Sequence, residues 1–193
     1  MKSPENVFLT SDKTVADYRA LQAADDRVRA GELVVQRFQE RYLWPAQGEG
    51  KHGFAMMAIA CLLIETYQGF VLGRANTKMG DGAATFRSFF EDNAPLKVFA
   101  AGKENWFYKN VRCGILHQAE VRDGWRIRRD DALLDFDKRT INATKFLREL
   151  EGIIAAYPQR LADDDALWTN FCKKMDAVCR TCEAGPDVGP QKA

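Results

Sequence analysis

The sequence predicts a mainly α fold, a helical bundle of five or six helices with one small β-hairpin. An apolar run of eleven residues, Phe54 to Ile64, is shorter than the about 20 residues that cross a membrane, so it predicts a buried core helix. Apolar side chains recur at helical spacing over residues 146–157 and again over residues 167–179. Between residues 125 and 136, apolar and polar residues alternate instead, which is typical of strands.

In the N-terminal half, the capping side chains of residues 10–12 predict a first helix that starts near Lys13. The next helix is indicated by apolar residues every four positions and is expected to stop at Pro45: Val34, Phe38 and Tyr42. Gly31 is a candidate break that would divide this stretch into two helices. The central helix should run from about His52 to Leu72.

In the C-terminal half, the glycine-rich residues 73–84 predict a loop, and Phe86, Phe89 and Phe90 a short helix after it. A further helix should span residues 103–118. The alternating residues that follow predict a hairpin whose turn is Asp130–Asp131. Two amphipathic helices close the domain, and the second should begin at Asp163–Asp165, near the positive end of its dipole.

Length and charge limit the functions that this chain can have. Its 193 residues predict one domain, expected over residues 10–182, with a flexible N-terminus (1–9) and a disordered tail (183–193). With 28 Lys and Arg against 27 Asp and Glu, the chain has no global attraction for phosphates, so a nucleic-acid ligand would need a local basic patch.

Targeting signals and cysteine usage favour a cytoplasmic protein that contacts no membrane. The N-terminus, residues 1–6, lacks the apolar stretch of a secretory signal. Five cysteines are an odd number, which suits reduced thiols better than a disulfide framework.

Neither a metal nor a cofactor is expected. Cys179 and Cys182 form a CxxC, but zinc needs four ligands, and neither a second such pair nor a spaced histidine pair is present. The cysteines of the last helix extend its apolar stripe, so small hydrophobic packing is the favoured role, with redox or metal roles as the alternatives. The glycines of residues 79–82 lack the third glycine and the lysine of a phosphate-binding loop, which favours a flexible connection.

Arg112 and His117 are the residues best suited to catalysis. Histidine can exchange protons near neutral pH, and arginine offers a permanent fork of donors to phosphate oxygens. Together they supply what phosphodiester cleavage without a metal requires. Positions five apart lie about 140° around a helix and about 7.5 Å along it, so a two-fold dimer would help to bring such side chains to one cleft. Glu65, at the end of the apolar run, is either solvated at the helix edge or paired, with Arg112 a candidate partner.

The segment from Phe107 to Glu120 (FYKNVRCGILHQAE), followed by the hairpin, resembles the signature helix of HEPN domains (higher eukaryote and prokaryote nucleotide-binding). The likeness covers roughly residues 50–150 and is greatest to bacterial HEPN-like proteins in which an apolar helix ending in a Glu-containing segment precedes the R-x4-H motif. It implies a metal-independent endoribonuclease that works as a homodimer, with Arg112 and His117 as the catalytic residues.

One residue departs from the family pattern, because Cys113 follows the arginine where a polar residue is common. Asn110 and Glu120 are candidates to supply the missing polar contact, and we treat Glu65, Asn110, Cys113 and Glu120 as supporting residues. The RNA-binding patch is expected from basic residues around the motif, with a solvated hairpin face as the alternative: Lys109, Arg122, Arg126, Arg128 and Arg129.

Three functional hypotheses follow. The first is RNA cleavage through attack by the substrate's 2′-hydroxyl, with RNA and a second copy of the chain as partners. The second is a non-catalytic HEPN-like module that binds a nucleotide, RNA or a protein in a toxin–antitoxin or defence setting, where a neutralising protein would be a further partner. The third is a helical dimerisation domain without a ligand, which is expected if His117 is buried.

Overall fold

The fold was analysed in a computed structural model that describes residues 3–47, 52–76, 80–102 and 105–184. The chain is mainly α, as predicted. The α-helices within these ranges are α1 (Val15–Ala23), α2 (Arg27–Phe38), α3 (Gly53–Val71), α4 (Gly82–Asp92), α5 (Cys113–Gln118), α6 (Ala143–Ala155), α7 (Tyr157–Asp163) and α8 (Asp165–Ala184). The strands are β1 (Arg126–Arg128), β2 (Leu134–Asp135) and β3 (Thr140–Asn142), and a 3₁₀ segment spans Ala94–Ala100.

Helix α3 is the centre of the bundle, because α4, α5, α6, α8 and β1 all pack against it. It is long and apolar enough to cross a membrane, but 56% of its most apolar window is buried inside the domain. This burial is what a core helix shows, in agreement with the prediction from the apolar run. Aromatic rings connect α3 with its neighbours in the core. The ring centroid of Phe70 lies 5.5 Å from that of Phe38 in α2 and 5.9 Å from that of Phe171 in α8.

The first two helices are separated at a different place from the predicted one. Helix α1 begins after Thr14, whose hydroxyl accepts from the Asp17 backbone N–H while the Asp17 carboxylate accepts from the Thr14 N–H, a reciprocal cap. The break between α1 and α2 falls at Asp25, which has a positive φ of 50°. Gly31, by contrast, lies inside α2. A Cβ on Gly31 would be 2.8 Å from the Pro158 Cα, so glycine permits close packing of α7.

Short helical turns continue α2 and end at Ala46, one residue past Pro45, close to the stop that the sequence predicted. A π-helical turn, Gln39–Leu43, and one further α-helical turn, Trp44–Ala46, continue it. Pro45 is tolerated because it occupies the start of that last turn, as proline does in first turns generally.

The predicted hairpin is wrong in its pairing, although strands are present at both predicted places. β1 does not pair with β2; β3 lies between them, parallel to β1 and antiparallel to β2. The central place of β3 follows from its burial, since all three of its residues are buried, while β1 exposes its two arginines. The Asn142 side chain holds the Asp130–Asp131 turn by donating to both backbone carbonyls, and it also caps α6 by accepting from the Lys145 N–H.

The domain extends further than predicted at both ends. Val7 and Leu9 are buried in the core, so the packed chain begins within the segment 1–9 that was expected to be flexible. At the other end, Glu183 is buried in α8 and lies 2.8 Å from Arg19 of α1. The rest of the predicted tail, residues 185–193, lies outside the described residues.

Two loop predictions are refined. Of the expected loop 73–84, residues 77–79 lie outside the described ranges, and α4 already begins at Gly82. Helix α8 begins where its acidic residues predicted, with the Asp164 carboxylate accepting from the Leu167 N–H at 2.9 Å. Helix α7, which carries Pro158 in its first turn, was not predicted.

Candidate functional site: the Arg112–His117 segment

Arg112 and His117 lie on one helical segment whose two parts have different geometry. A π-helical turn, Phe107–Arg112, leads into the short helix α5. Val111 and Ile115 anchor the segment because both side chains are buried in the core. π-Helical turns are rare and often occur at functional sites.

The segment ends in a sharp reversal that keeps His117 near the surface. Ala119 adopts a left-handed conformation with a φ of 53°, and the chain then folds back along α5. Gly114 makes this return possible, because a Cβ there would collide with the Glu120 carbonyl oxygen and come within 3.2 Å of the Val121 Cα.

Arg112 forms an ion pair with Glu65 of α3, so of the two alternatives left open by the sequence, a solvated or a paired Glu65, the structure has the paired one. The Arg112 Nε donates to the Glu65 Oε1 at 2.6 Å, and both side chains are 18% exposed. Partial burial lowers the pKa of the Arg112 guanidinium, but the hydrogen bond and charge of Glu65 outweigh that effect and raise it. The contact with Glu65 uses Nε. Among the described residues, no oxygen atom accepts a hydrogen bond from Nη1 or Nη2 of Arg112.

Tyr108 and Cys113 complete the surroundings of Arg112. The Arg112 Cζ lies 5.4 Å from the centre of the Tyr108 ring, within cation–π range. Tyr108 itself packs against the backbone of Gly82, where a Cβ would come within 2.6 Å of its ring. Burial, reinforced by the neighbouring Cys113, raises the pKa of the Tyr108 hydroxyl. Tyr108 therefore stays protonated at neutral pH and can act as a hydrogen-bond donor.

Cys113 follows Arg112 and is partly buried. Cys61 of α3 is buried near Glu65 and Arg112, and this burial raises the pKa of its thiol. A buried thiol of raised pKa is a poor nucleophile, so Cys61 serves packing.

The His117 side chain is exposed and makes no hydrogen bond to any described residue. The hypothesis of a helical dimerisation domain without a ligand expected a buried His117. The exposure of His117 argues against that hypothesis. In the single chain, the guanidinium of Arg112 is directed toward α3, while His117 lies near the solvent-exposed end of α5.

The other supporting residues do not join this pair. The Asn110 side chain borders a separate cleft, and the backbone carbonyl of Asn110 accepts from the Arg122 backbone N–H at 2.9 Å. The Glu120 carboxylate accepts from the adjacent Val121 N–H. Within the described part of the chain, no hydrogen bond joins either side chain to Arg112 or His117.

The predicted basic residues divide among several surfaces. Arg126 and Arg128 are exposed on the outer face of β1, where Arg126 donates to the Lys138 carbonyl and Arg128 lies 3.4 Å from Asp130. Arg129 lies on the opposite side, against Gly53 of α3, and donates to the Thr144 hydroxyl.

Arg122 and Lys109 lie nearer the motif. Arg122 follows α5, and its Nε donates to the Gln118 Oε1 at 2.9 Å. Lys109 borders the same cleft as Asn110.

The sequence reasoning missed that cleft. It is an open cavity of about 400 Å³ between the π-helical turn and the sheet. Its aromatic lining comes from Trp106, Trp125 and Phe136, and Arg139 and Asp123 contribute opposite charges. A tryptophan on each side of the motif helix was the available signal, but only the fold shows that the two rings stack.

The cysteines of the last helix are placed as the packing interpretation expects. Cys179 is buried, Cys172 and Cys182 are partly buried, and all three pack on the core. In the described ranges, three or more His, Cys, Asp or Glu side chains do not come together as ligands for a metal ion.

Comparison of the chain with protein-family models, with curated proteins and with solved structures finds no match. The resemblance to HEPN domains thus depends on the residues of the motif and their surroundings.

Proposed function

We propose that the protein is a metal-independent endoribonuclease of HEPN type, with Arg112 and His117 as its catalytic residues. The observation that carries the proposal is an exposed His117 one and a half turns beyond an arginine whose orientation is fixed by Glu65. An acid–base group open to solvent and a cation held in place are the two components that the reaction needs.

In the proposed reaction, His117 acts as the general base and removes the proton from a ribose 2′-hydroxyl. The resulting oxygen attacks the adjacent phosphorus, and the bond from phosphorus to the 5′-oxygen breaks as that oxygen takes up a proton from water, after which the protonated His117 returns its proton to solvent. The products are a 2′,3′-cyclic phosphate and a 5′-hydroxyl end. Acid–base catalysis of this kind contributes roughly 10²–10⁴ in rate.

Arg112 would stabilise the negative charge that develops on the phosphorane. Its Nη donors are the suitable groups, because Glu65 occupies Nε and holds the plane of the guanidinium. Donors fixed in advance are effective because they need no reorganisation during the reaction.

A two-fold dimer is part of the proposal, since Arg112 and His117 of one chain point in different directions. Leu62 precedes Glu65 by three residues and Leu116 follows Arg112 by four, so both lie beside the ion pair on their helices. Both side chains are exposed, at 41% and 39%, so each is available for an apolar contact with a second copy.

The proposal is tested by cleavage of single-stranded RNA with purified protein in the presence of EDTA. His117→Ala should abolish cleavage, whereas His52→Ala should not, because His52 is also exposed but lies at the start of α3. Arg112→Lys keeps the charge but removes the fork of donors, so it should lower the rate strongly while leaving the fold intact. Undiminished cleavage by His117→Ala, or complete inhibition by EDTA, would contradict the mechanism.

A second candidate is a non-catalytic HEPN-like module that binds a nucleotide, RNA or a protein in a toxin–antitoxin or defence setting. The Glu65–Arg112 ion pair favours it, because a guanidinium engaged in a partly buried pair has a structural role of its own. RNA binding without turnover across varied RNAs would support this module and refute the nuclease.

The cytoplasm is the proposed location. All five cysteines are free thiols, which suits a reducing compartment.

A further inference from the structure

The aromatic cleft beside the motif helix has the composition of a nucleotide site. Trp106 and Trp125 stack with ring centroids 4.2 Å apart and an interplanar angle of 23°. The Phe136 ring stands edge-on to both, at 5.4 Å from Trp106 and 5.8 Å from Trp125. The two tryptophans are nearly buried, but Phe136 is 42% exposed. The three rings therefore form an apolar corner, and Phe136 offers a free surface to a flat ligand.

Polar groups at the same cleft suit the edge of a base and a phosphate. The Asn110 side chain offers a donor and an acceptor that no described residue engages. The Arg139 Nη1 donates to the Asp123 Oδ1 at 3.1 Å and to the Asp123 carbonyl, which fixes both side chains at the rim. Lys109, which is exposed, also lines the cleft and supplies a cation without a salt bridge to any described residue.

The cleft is connected to His117 along one side of the motif helix. Arg122 joins the two places, because its N–H donates to the Asn110 carbonyl and its Nε to the side chain of Gln118, the neighbour of His117. Seven residues separate Asn110 from His117, which is about 10 Å along a helix. A nucleotide in the cleft would thus lie close to the linkage that the proposed nuclease cleaves.

We infer that the Trp106–Trp125–Phe136 cleft binds the base of a single-stranded RNA nucleotide, stacked on Phe136, with its phosphate near Lys109. The role of this site in RNA cleavage rests on the proposed function, but binding of a mononucleotide can be measured without any cleavage. Stacking on an aromatic ring accepts any base, so the cleft would position RNA without selecting its sequence.

The charges at the cleft argue against a cationic ligand, the other common occupant of an aromatic corner. Aromatic cages for methylated ammonium groups need rings without competing positive charge. Here Lys109 and Arg139 line the cavity, and the carboxylate that lines it, Asp123, is already paired with Arg139.

The test is a titration of the full chain with 5′-adenosine monophosphate, followed by calorimetry and by tryptophan fluorescence. Ribose 5-phosphate, which has the phosphate but no base, should bind much more weakly. Phe136→Ala should weaken binding of the mononucleotide roughly 5- to 150-fold, the range that stacking on one aromatic ring supplies per base. Phe8→Ala is the matched control, because Phe8 is 60% exposed elsewhere on the domain and its loss should not change binding.

A second pair of variants tests the phosphate contact. Lys109→Ala should weaken binding and reduce its dependence on salt, whereas Lys97→Ala, an exposed lysine of the 3₁₀ segment, should leave both unchanged. Circular dichroism of each variant checks that its fold is retained.

Several results would overturn the inference. Equal binding of ribose 5-phosphate and the mononucleotide would exclude base recognition, and an unchanged affinity of folded Phe136→Ala would exclude stacking there. Preferential binding of a trimethyl-lysine peptide would assign the corner to a cation. The nuclease proposal and the binding proposal can fail separately, because one is measured by cleavage of RNA and the other by titration with the mononucleotide. If no RNA is cleaved but the mononucleotide binds at this cleft, the nuclease is refuted and the binding site is supported.

Discussion

Removal of the Glu65 carboxylate should destabilise the fold, because it leaves the Arg112 guanidinium partly buried without its counter-ion. Breaking a fully buried ion pair costs about 3–5 kcal/mol, and an exposed pair is worth about 0–1 kcal/mol. Both side chains are only 18% exposed, and the Arg112 Nε lies 2.6 Å from the Glu65 Oε1, so this pair resembles a buried ion pair more than an exposed one. We therefore expect Glu65→Ala to cost about 2–4 kcal/mol, which lowers the thermal midpoint by roughly 5–15 °C in a domain of this size.

The assay is thermal and urea unfolding followed by circular dichroism, in a double-mutant cycle. Glu65→Ala, Arg112→Ala and the double variant should give a coupling energy of about 1–3 kcal/mol, because the double variant no longer carries an unpaired charge. The matched control is Glu91→Ala. Glu91 pairs with Arg87 at 2.9 Å across one turn of α4, with side chains that are 48% and 54% exposed, and its loss should cost less than about 0.5 kcal/mol.

A coupling energy below about 0.5 kcal/mol would refute the reasoning, since the pair would then behave as a surface contact. The same variants also separate stability from function. If Arg112 is a catalytic residue, Glu65→Gln should lower RNA cleavage in a protein that remains folded, because the amide keeps a hydrogen-bond acceptor but no longer holds the guanidinium by charge.

Two further predictions concern packing and pH. Gly31→Ala should lower the free energy of unfolding by about 1–3 kcal/mol, because its Cβ would meet the Pro158 backbone. Gly152→Ala, in open space on α6, should instead raise it by about 0.5–1 kcal/mol. Equal effects of the two variants in urea unfolding would contradict the close approach of α2 and α7. Hydrogen bonds from the Thr14 backbone and hydroxyl lower the pKa of Asp17 from its ordinary value of 3.8. Because the pKa of Asp17 is lower in the folded than in the unfolded protein, the ionised carboxylate stabilises the fold. This stabilisation is fully present above pH 3.8 and is lost as the pH falls through the pKa of the folded protein. Asp17→Asn should therefore be less stable than the natural protein at neutral pH and about equally stable in acid. A stability difference of the same size at both pH values would exclude an ionic contribution.

Local patterns in the sequence predicted most of the helices. Helix α3 follows from an uninterrupted apolar run, and α8 from a stripe of apolar residues after acidic capping residues. These predictions succeed because the hydrogen bonds of a helix join residues four apart, so each turn is decided by near neighbours. The break at Asp25 was missed although a local signal for it exists, since the Asp26 carboxylate caps α2 by accepting from the Arg29 N–H.

The candidate site was predicted only in part. The Arg112–His117 spacing was read directly from the sequence, and the Glu65–Arg112 pair, one of two alternatives that the sequence left open for Glu65, is present. The expected contributions of Asn110 and Glu120 to that pair were not found: the Asn110 side chain borders the separate aromatic cleft, and the Glu120 carboxylate accepts from the Val121 N–H after the chain reverses at Ala119.

The sequence by itself determined that this chain is a helical domain with an apolar central helix and that an arginine and a histidine share one helical segment. Only the tertiary structure decided that β3 separates β1 from β2, that His117 stays exposed, and that Trp106, Trp125 and Phe136 meet at one cleft. The physical reason is the range of the interactions. Helix periodicity is written within a few residues, whereas strand order, burial and ring stacking depend on segments that meet only when the whole core has packed.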